Sequence, residues 1–153
     1  MVEKKEIKIT PIVEGISIDH IAAGKALEVA KILGLDKNNN LVTIGINLFS
    51  TKMKLKDCVK IEGRSLSNYE LNKIAIVAPN ATVSIIHESK VEEKFKVKLP
   101  KEVKNTIKCR NPNCITNVQK VETRFDIVEN GLNSLFRCFF CEKVYARDEV
   151  EIL

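Results

Sequence analysis

Along the first hundred residues the apolar positions change period several times, and each change marks a predicted element. Over 6–12, Ile7 and Ile9 alternate with charged or polar neighbours, the two-residue period of a half-buried strand. Asp19 then stands where a helix N-cap belongs, and Ala26, Leu27, Ala30 and Leu33 form one stripe opposite Lys25, Glu28 and Lys31 until Gly34 ends it. Segments 41–50 and 57–62 are rich in Val, Ile and Leu and joined by a lysine-bearing turn, which predicts antiparallel neighbours. Ser67-Asn68-Tyr69-Glu70 spells a capping box, in which the serine hydroxyl and the glutamate carboxylate each satisfy a backbone N–H left free at a helix start. That helix presents Leu71, Ile74 and Ala75 on one side and stops before Pro79, after which 81–87 and 91–97 make a last pair of strands. The order strand, helix, strand, strand, helix, strand, strand predicts an α+β fold: a ferredoxin-like βαββαβ sandwich with one extra strand.

After Leu99-Pro100 the periodicity changes character, so the sequence divides into predicted domains at 1–100 and 101–153. The second is too small to support itself on apolar burial, since a domain of roughly 50–60 residues buries only about 60% of the surface its unfolded chain exposes. The chain has five cysteines, and four of them lie in this part, as Cys109, Cys114, Cys138 and Cys141. No apolar run approaches the roughly 18 residues of a membrane span, and residues 1–6 lack the apolar core of a secretory leader. The expected setting is therefore cytoplasmic, where thiols stay reduced and hold metals more often than they pair as disulfides. Residues 1–100 carry 16 Lys and Arg against 12 Asp and Glu, while 101–153 carry 9 against 8, so the positive excess belongs to the first part. An overall net charge of +5 is too mild for a nucleic-acid tail but suits a compact anion held by a few lysines.

The cysteine pattern is C-x4-C-x23-C-x2-C, two close pairs separated by a strand-like stretch at 121–128 and an Asn130-Gly131 turn. Two sulfurs a few residues apart face one ion when the chain between them turns sharply, and Asn111, Pro112 and Asn113 suit such a turn. A closed four-thiolate shell is the donor set of structural zinc, giving a small all-β zinc-ribbon-like domain in which metal binding and folding are one event. Iron held in the same way is the other metal reading. Cys58, isolated on a strand, is expected to be an inert buried thiol. A saturated zinc cannot activate water, and the chain has neither G-x-S-x-G nor HExxH and only two histidines, His20 and His87, so catalysis by this chain alone is not expected.

Several segments, in order and at matching spacing, resemble one family: Ile18-Asp19-His20-Ile21, Val42-Thr43-Ile44-Gly45-Ile46-Asn47-Leu48, Lys56-Asp57-Cys58-Val59-Lys60-Ile61-Glu62 and Ala78-Pro79-Asn80-Ala81-Thr82-Val83. With Leu99-Pro100, the Cys109 to Cys114 loop and Cys138-Phe139-Phe140-Cys141-Glu142-Lys143, almost the whole chain is similar to the regulatory chain of aspartate carbamoyltransferase. The resemblance implies a non-catalytic subunit of pyrimidine biosynthesis. Its N-terminal domain would bind nucleotide effectors and pair with a second regulatory chain, and its zinc domain would grip the catalytic chain. Cytidine triphosphate (CTP) is the family's feedback inhibitor, adenosine triphosphate (ATP) competes for the same site, and uridine triphosphate (UTP) can act with CTP.

Carried over residue by residue, the resemblance implies that Lys94 binds phosphate, Lys60 ribose and base, and Asp19 the ribose hydroxyls. His20 and Lys56 would lie near the phosphates, and Ile12 and Val91 would offer backbone groups. Lysine ammoniums offset triphosphate charge, and a carboxylate recognises a sugar diol. The chain departs from the family at Ser84, Ser89 and Glu6, where asparagine, tyrosine and lysine are common. Asn111, Asn113 and Glu142 match positions that face the catalytic chain, although asparagines also suit such turns without a partner. Two rival functions remain in view. An RNA-binding sandwich would need aromatic platforms on its central strands, which the first and third predicted strands lack. An electron carrier would need iron in the four-cysteine site.

Overall fold

The structure, a computed structural model, describes residues 11–128 and 133–153. It separates into two compact units: Met1–Ser65 with Ala81–Lys96, and Leu66–Asn80 with Val97–Leu153. The second unit thus takes in a helix that the sequence inserts between two strands of the first.

The elements of residues 11–96 are β1 (Gly15–Ala22), α1 (Ala26–Ile32), a short 3-10 turn (Leu35–Lys37), β2 (Val42–Ser50), β3 (Lys54–Glu62), α2 (Asn68–Val77), β4 (Thr82–His87) and β5 (Lys90–Lys96). The five strands form one sheet in the order β2-β3-β1-β4-β5, and every neighbouring pair is antiparallel. This is the expected ferredoxin-like strand order with β5 added at one edge. Ile16, Ile18, Val59, Ile61 and Val83 are buried along the central strands, and Ala26 and Val29 of α1 are buried beside β2 and β3.

The first strand departs from expectation. Most of the predicted strand at 6–12 lies outside the described residues, and the first described strand is Gly15–Ala22. Asp19 is therefore not a helix cap. It sits in β1, where buried Ile16 and Ile18 alternate with half-buried Ser17 and Asp19, so the strand period runs through a stretch that also resembles a helix approach. The helix starts at Ala26, and its N-cap position, Lys25, supplies no side-chain bond. The missing cap comes from β3. The fully buried Asp57 accepts from the backbone N–H of Gly24 at 2.9 Å and Ala26 at 3.1 Å through one oxygen, and from that of Asn47 at 3.0 Å through the other. A carboxylate at a helix N-terminus satisfies free amides and complements the helix dipole. Asn47 lies in a β-bulge of β2, and a matching bulge in β1 puts His20 at φ 56°, a left-handed conformation that single Asn and His residues tolerate.

The second unit holds α2, β6 (Glu102–Lys104), β7 (Ile107–Lys108), α3 (Ile115–Val118), β8 (Arg124–Ile127), β9 (Leu135–Cys138), β10 (Val144–Ala146), a 3-10 turn (Arg147–Glu149) and β11 (Glu151–Ile152). Its strands form a sheet in the order β10-β9-β8-β6 and a separate β11-β7 pair. The predicted strand at 121–128 is the shorter β8, and the predicted Asn130-Gly131 turn lies outside the described residues. The capping box of α2 forms as predicted, with the Glu70 N–H donating to Ser67 Oγ at 3.2 Å and the Ser67 N–H to Glu70 Oε2 at 2.9 Å. At its other end α2 has no basic residue of its own. Arg147 provides one: its guanidinium donates to the carbonyl of Ala75 at 2.8 Å, to that of Ile76, and to Ser134 Oγ at 3.1 Å. Ile76 enters a buried cluster with Val103, Ile107, Phe125, Phe136 and the sulfurs of Cys109, Cys114 and Cys138. Lys73 Nζ donates to the Leu153 carbonyl at 2.8 Å, and the Tyr69 hydroxyl donates to that of Asn105 at 2.7 Å.

Candidate functional site

The two cysteine pairs meet. The Sγ atoms of Cys109, Cys114, Cys138 and Cys141 all lie within 4.8 Å of one another, with Cys109 to Cys141 at 3.6 Å and Cys114 to Cys138 at 3.7 Å. A tetrahedral ion with sulfur ligands at about 2.3 Å needs sulfur–sulfur edges of roughly 3.8 Å, whereas a disulfide needs about 2.05 Å. All four thiols are free. The donor set therefore fits one tetrahedral metal ion, with every position filled by protein.

Each pair is shaped by its own turn. The second is tight, with the Cys138 N–H donating to the Lys143 carbonyl and the Glu142 N–H, at φ 62°, to the Cys138 carbonyl, both at 2.9 Å. The first spans four residues, and Asn117 braces it: its Nδ2 donates to the carbonyls of Cys109 at 2.6 Å and Asn111 at 2.8 Å. The Asn113 N–H donates to Asn111 Oδ1 at 3.2 Å, the turn chemistry open to asparagine.

The sulfurs also accept hydrogen bonds from around the site. Burial pushes the Cys138 thiol up to about 12 against the pull of the Cys141 and Phe140 amides. Burial opposes the Cys141 thiolate as well, but the Lys143 amide, the Asn111 side chain and the neighbouring Cys109 and Cys138 thiols bring it down to about 7. Cys109 is raised by burial despite bonds from the Tyr145 hydroxyl and the Asn111 amide. Four sulfurs packed this closely repel one another once ionised, and a divalent cation supplies the charge that holds them together.

The second candidate site is the face of the five-stranded sheet that carries lysines. Registers align Thr43, Lys60, Ser17, Ser84 and Lys94 in one row across β2, β3, β1, β4 and β5. Side chains in one row share a face, so Lys60 and Lys94 stand on the same side, three strand spacings or roughly 14 Å apart. The two serines between them leave room. Neither lysine makes an ion pair among the described residues. Asp19 joins them through Lys56, whose Nζ lies 3.0 Å from Asp19 Oδ2. Burial works against the Asp19 charge, but the His20 N–H at 2.8 Å and the Lys56 ammonium outweigh it and hold the carboxyl below the usual range. His20 Nδ1 lies 3.2 Å from Thr82 Oγ1. Lys56 is thus already partnered, while Lys60 and Lys94 are the open cations.

Ile12 is buried just before β1, and Val91 is exposed at the start of β5. The segment between Ile12 and β1 is clamped to the β4-β5 turn. The Ser89 N–H donates to the Val13 carbonyl at 2.9 Å, and the Glu14 carboxylate accepts from the Glu88 N–H at 2.8 Å and meets His87 Nδ1 at 2.9 Å. Glu6 lies outside the described residues. Cys58 is buried, yet it stands two residues from both Lys56 and Lys60 on β3 and so shares the lysine face, with Asp19 among its charged neighbours. In the metal unit Asn113 and Glu142 are exposed and Asn111 is half-buried against the sulfurs. Sequence reasoning missed Asp57, Thr116, Asn117, Tyr145 and Arg147. For Asp57 a signal existed, since it shares strand parity with Val59 and Ile61, and an acidic residue on that apolar face needs buried donors.

Among the described residues no helix is long and apolar enough to cross a membrane. The family model for the aspartate carbamoyltransferase regulatory chain, allosteric domain, matches residues 7–98, and that for the metal binding domain of the same chain matches residues 101–151. Proteins named aspartate carbamoyltransferase regulatory chain from Pyrococcus horikoshii and Pyrococcus abyssi are each 48% identical over 147 residues, 95% of this chain and 96% of theirs. One of the same name from Methanococcus maripaludis is 47% identical over 140 residues, covering 92% and 93%.

Proposed function

Because the chain belongs to the family of aspartate carbamoyltransferase regulatory chains, we propose that it is the cytoplasmic allosteric subunit of that enzyme, binding CTP and ATP on its lysine face and docking on the catalytic chain through a zinc-stapled domain. Residues 1–100 are the effector domain and 101–153 the adaptor. The observation that carries the effector reading is the row from Lys60 through Ser17 and Ser84 to Lys94, with Asp19 and Lys56 beside it. Ammoniums at either end of a polar row offer separate anchors for a nucleotide laid across it, Lys94 for the phosphates and Lys60 for ribose and base, and a carboxylate held ionised suits a ribose diol. His20 and the backbone of Ile12 and Val91 complete the set, and UTP is the second effector. Zinc is the ion that a closed four-sulfur tetrahedron with no redox task would hold.

Pairing of two regulatory chains is supported by the edge strand β2, which exposes Ile44, Ile46 and Phe49, an arrangement that invites another strand. Asn111, Asn113 and Glu142 lie beside the sulfur cluster and form the surface offered to the catalytic chain. An effector acts only if it binds two quaternary states unequally, and a coupling of about 1–3 kcal/mol is typical.

Titration calorimetry of the metal-loaded chain with CTP and with ATP tests the reading. Lys94→Ala should weaken both and leave assembly with catalytic chains intact, and Cys114→Ala should do the reverse. No heat with either nucleotide, or assembly lost through Lys94→Ala, would overturn it. Metal analysis finding iron would replace zinc and favour the electron carrier.

A further inference from the structure

The four sulfurs are reached by two side-chain hydroxyls that belong to neither cysteine turn by necessity. Thr116 Oγ1 lies 3.2 Å from Cys114 Sγ, and the Tyr145 hydroxyl lies 3.5 Å from Cys109 Sγ. Both target the first pair, whose four-residue gap makes a wider turn than the second. In the second pair the donors identified are backbone amides of Phe140, Cys141 and Lys143, together with the Asn111 side chain. Neither hydroxyl sits there by accident of exposure. Tyr145 comes from β10, its ring packed at 6.3 Å from that of the buried Phe125, and Thr116 comes from α3, for which Cys114 is the N-cap residue.

A thiolate bound to a metal ion has no proton to give, so in both contacts the hydroxyl donates. Four thiolates around a divalent ion carry two excess negative charges in a largely buried place. Hydrogen bonds from outside the ligand set spread that charge and fix each sulfur's orientation, and losing such partners typically costs 10–100-fold in metal affinity. We propose that Tyr145 and Thr116 are metal-retention residues, whose hydroxyls brace the Cys109 and Cys114 thiolates and set how slowly this chain gives up its ion. The proposal rests on the reading of the four cysteines as a metal site.

The test uses the full chain loaded with cobalt(II), whose sulfur-to-metal charge-transfer band reports electron density on sulfur, and with zinc for affinity and release. Tyr145→Phe keeps the ring that packs on Phe125 and removes only the hydroxyl. Thr116→Val removes the other hydroxyl at nearly constant volume, and Thr116→Ser restores it. Removing a donor leaves sulfur more electron-rich, so the band should move to longer wavelength in Tyr145→Phe and Thr116→Val. Zinc affinity in competition with a chromogenic chelator should fall, and transfer to it speed up, by about 10-fold or more in each. Thr116→Ser should match the unsubstituted chain in all three. Bands and rates within twofold of the unsubstituted chain in both hydroxyl-less variants would overturn the proposal, as would faster release with an unmoved band, which marks loosened packing alone. If the unsubstituted chain shows no thiolate-to-cobalt band, the metal reading itself has failed before any variant is compared.

Discussion

Replacing Arg147 tests whether α2 is held by the metal-bearing unit. The guanidinium donates to the carbonyls of Ala75 and Ile76 at the C-terminal end of α2 and to Ser134 Oγ, with the Phe136 ring 5.8 Å away. Hydrogen bonds to a charged group contribute about 1.5–3 kcal/mol each when broken one-sidedly. A cation at a helix C-terminus adds about 0.3–1 kcal/mol. Against this stands the cost of drying the guanidinium, visible in a pKa lowered by burial. The net expectation for Arg147→Ala is about 2–4 kcal/mol. In a cooperative unit of 60–100 residues each kcal/mol moves the melting temperature by about 4–8 °C, so a loss of roughly 8–32 °C is expected. Arg147→Lys keeps a charge near the helix end but cannot fork across two carbonyls and a hydroxyl, and should cost about half as much.

The assay is thermal unfolding of the metal-loaded chain together with amide exchange. The Ala78 N–H, bonded to the Ile74 carbonyl at 2.7 Å, and its neighbours in α2 should lose protection in Arg147→Ala while amides of β1 and β3 keep theirs. A melting temperature within about 2 °C of the parent, with unchanged protection in α2, would show that the guanidinium merely fills space over Phe136 and would refute the reasoning.

Three further outcomes are expected. Asp57→Asn replaces an acceptor by a donor facing backbone N–H groups of Gly24, Ala26 or Asn47, and should cost about 2–4 kcal/mol in urea unfolding of the sheet unit; a loss below about 0.5 kcal/mol would contradict the remote cap. His87 is raised by its hydrogen bond to Glu14 and then by that residue's charge, while Glu14 is lowered by the Glu88 amide and His87. The clamp on the β4-β5 turn is therefore complete only above the carboxylate range and below His87's own raised pKa, fading as pH rises through it. NMR titration should place His87 above about 6.5 and Glu14→Gln should return it there; an unmoved value would dismiss the pair. Chelating the metal should unfold the strands of Val97–Leu153, since apparent binding energies of about 10–16 kcal/mol in small sites exceed what so small a core supplies; retained protection in β8 and β9 would count against it.

Much of this was legible in the sequence, for identifiable reasons. The capping box at Ser67-Asn68-Tyr69-Glu70 is local chemistry, and it formed. The cysteine spacing is short-range geometry within each pair, and the two pairs converge on one point. Strand order followed from the alternation of elements, because antiparallel neighbours and two helices leave few ways to build one sheet. What failed depended on contacts distant in sequence. Asp19 beside an apolar stripe reads as a cap until Ile16, Ile18 and Ile21 are seen buried in a sheet. Cys58 is the buried strand thiol that the sequence predicts; what local pattern does not give is its face, which only the register of β3 shows.

Helices α1 and α2 each obtain a terminal charge from elsewhere in the chain, and in each the sign is the one the helix dipole favours. The N-terminus of α1 meets Asp57 from β3, 31 residues from Ala26, and the C-terminus of α2 meets Arg147, 71 and 72 residues from its two carbonyls. A local cap would stabilise its helix whether or not the rest of the unit had formed. A remote cap stabilises it only when the donor or acceptor has been delivered by the folded sheet or the folded metal unit, so the helix end becomes conditional on that unit. For α2 the condition runs through two residues of β10 and the turn after it: Tyr145 bonds to a metal ligand, and Arg147 bonds to the helix. Two positions apart on one short segment, they make the C-terminal turn of α2 sensitive to the order of the sulfur cluster, while its N-terminal capping box is not. Exchange in α2 should therefore rise from its C-terminal end when the metal is withdrawn, and uniform loss along the helix would point to a different linkage.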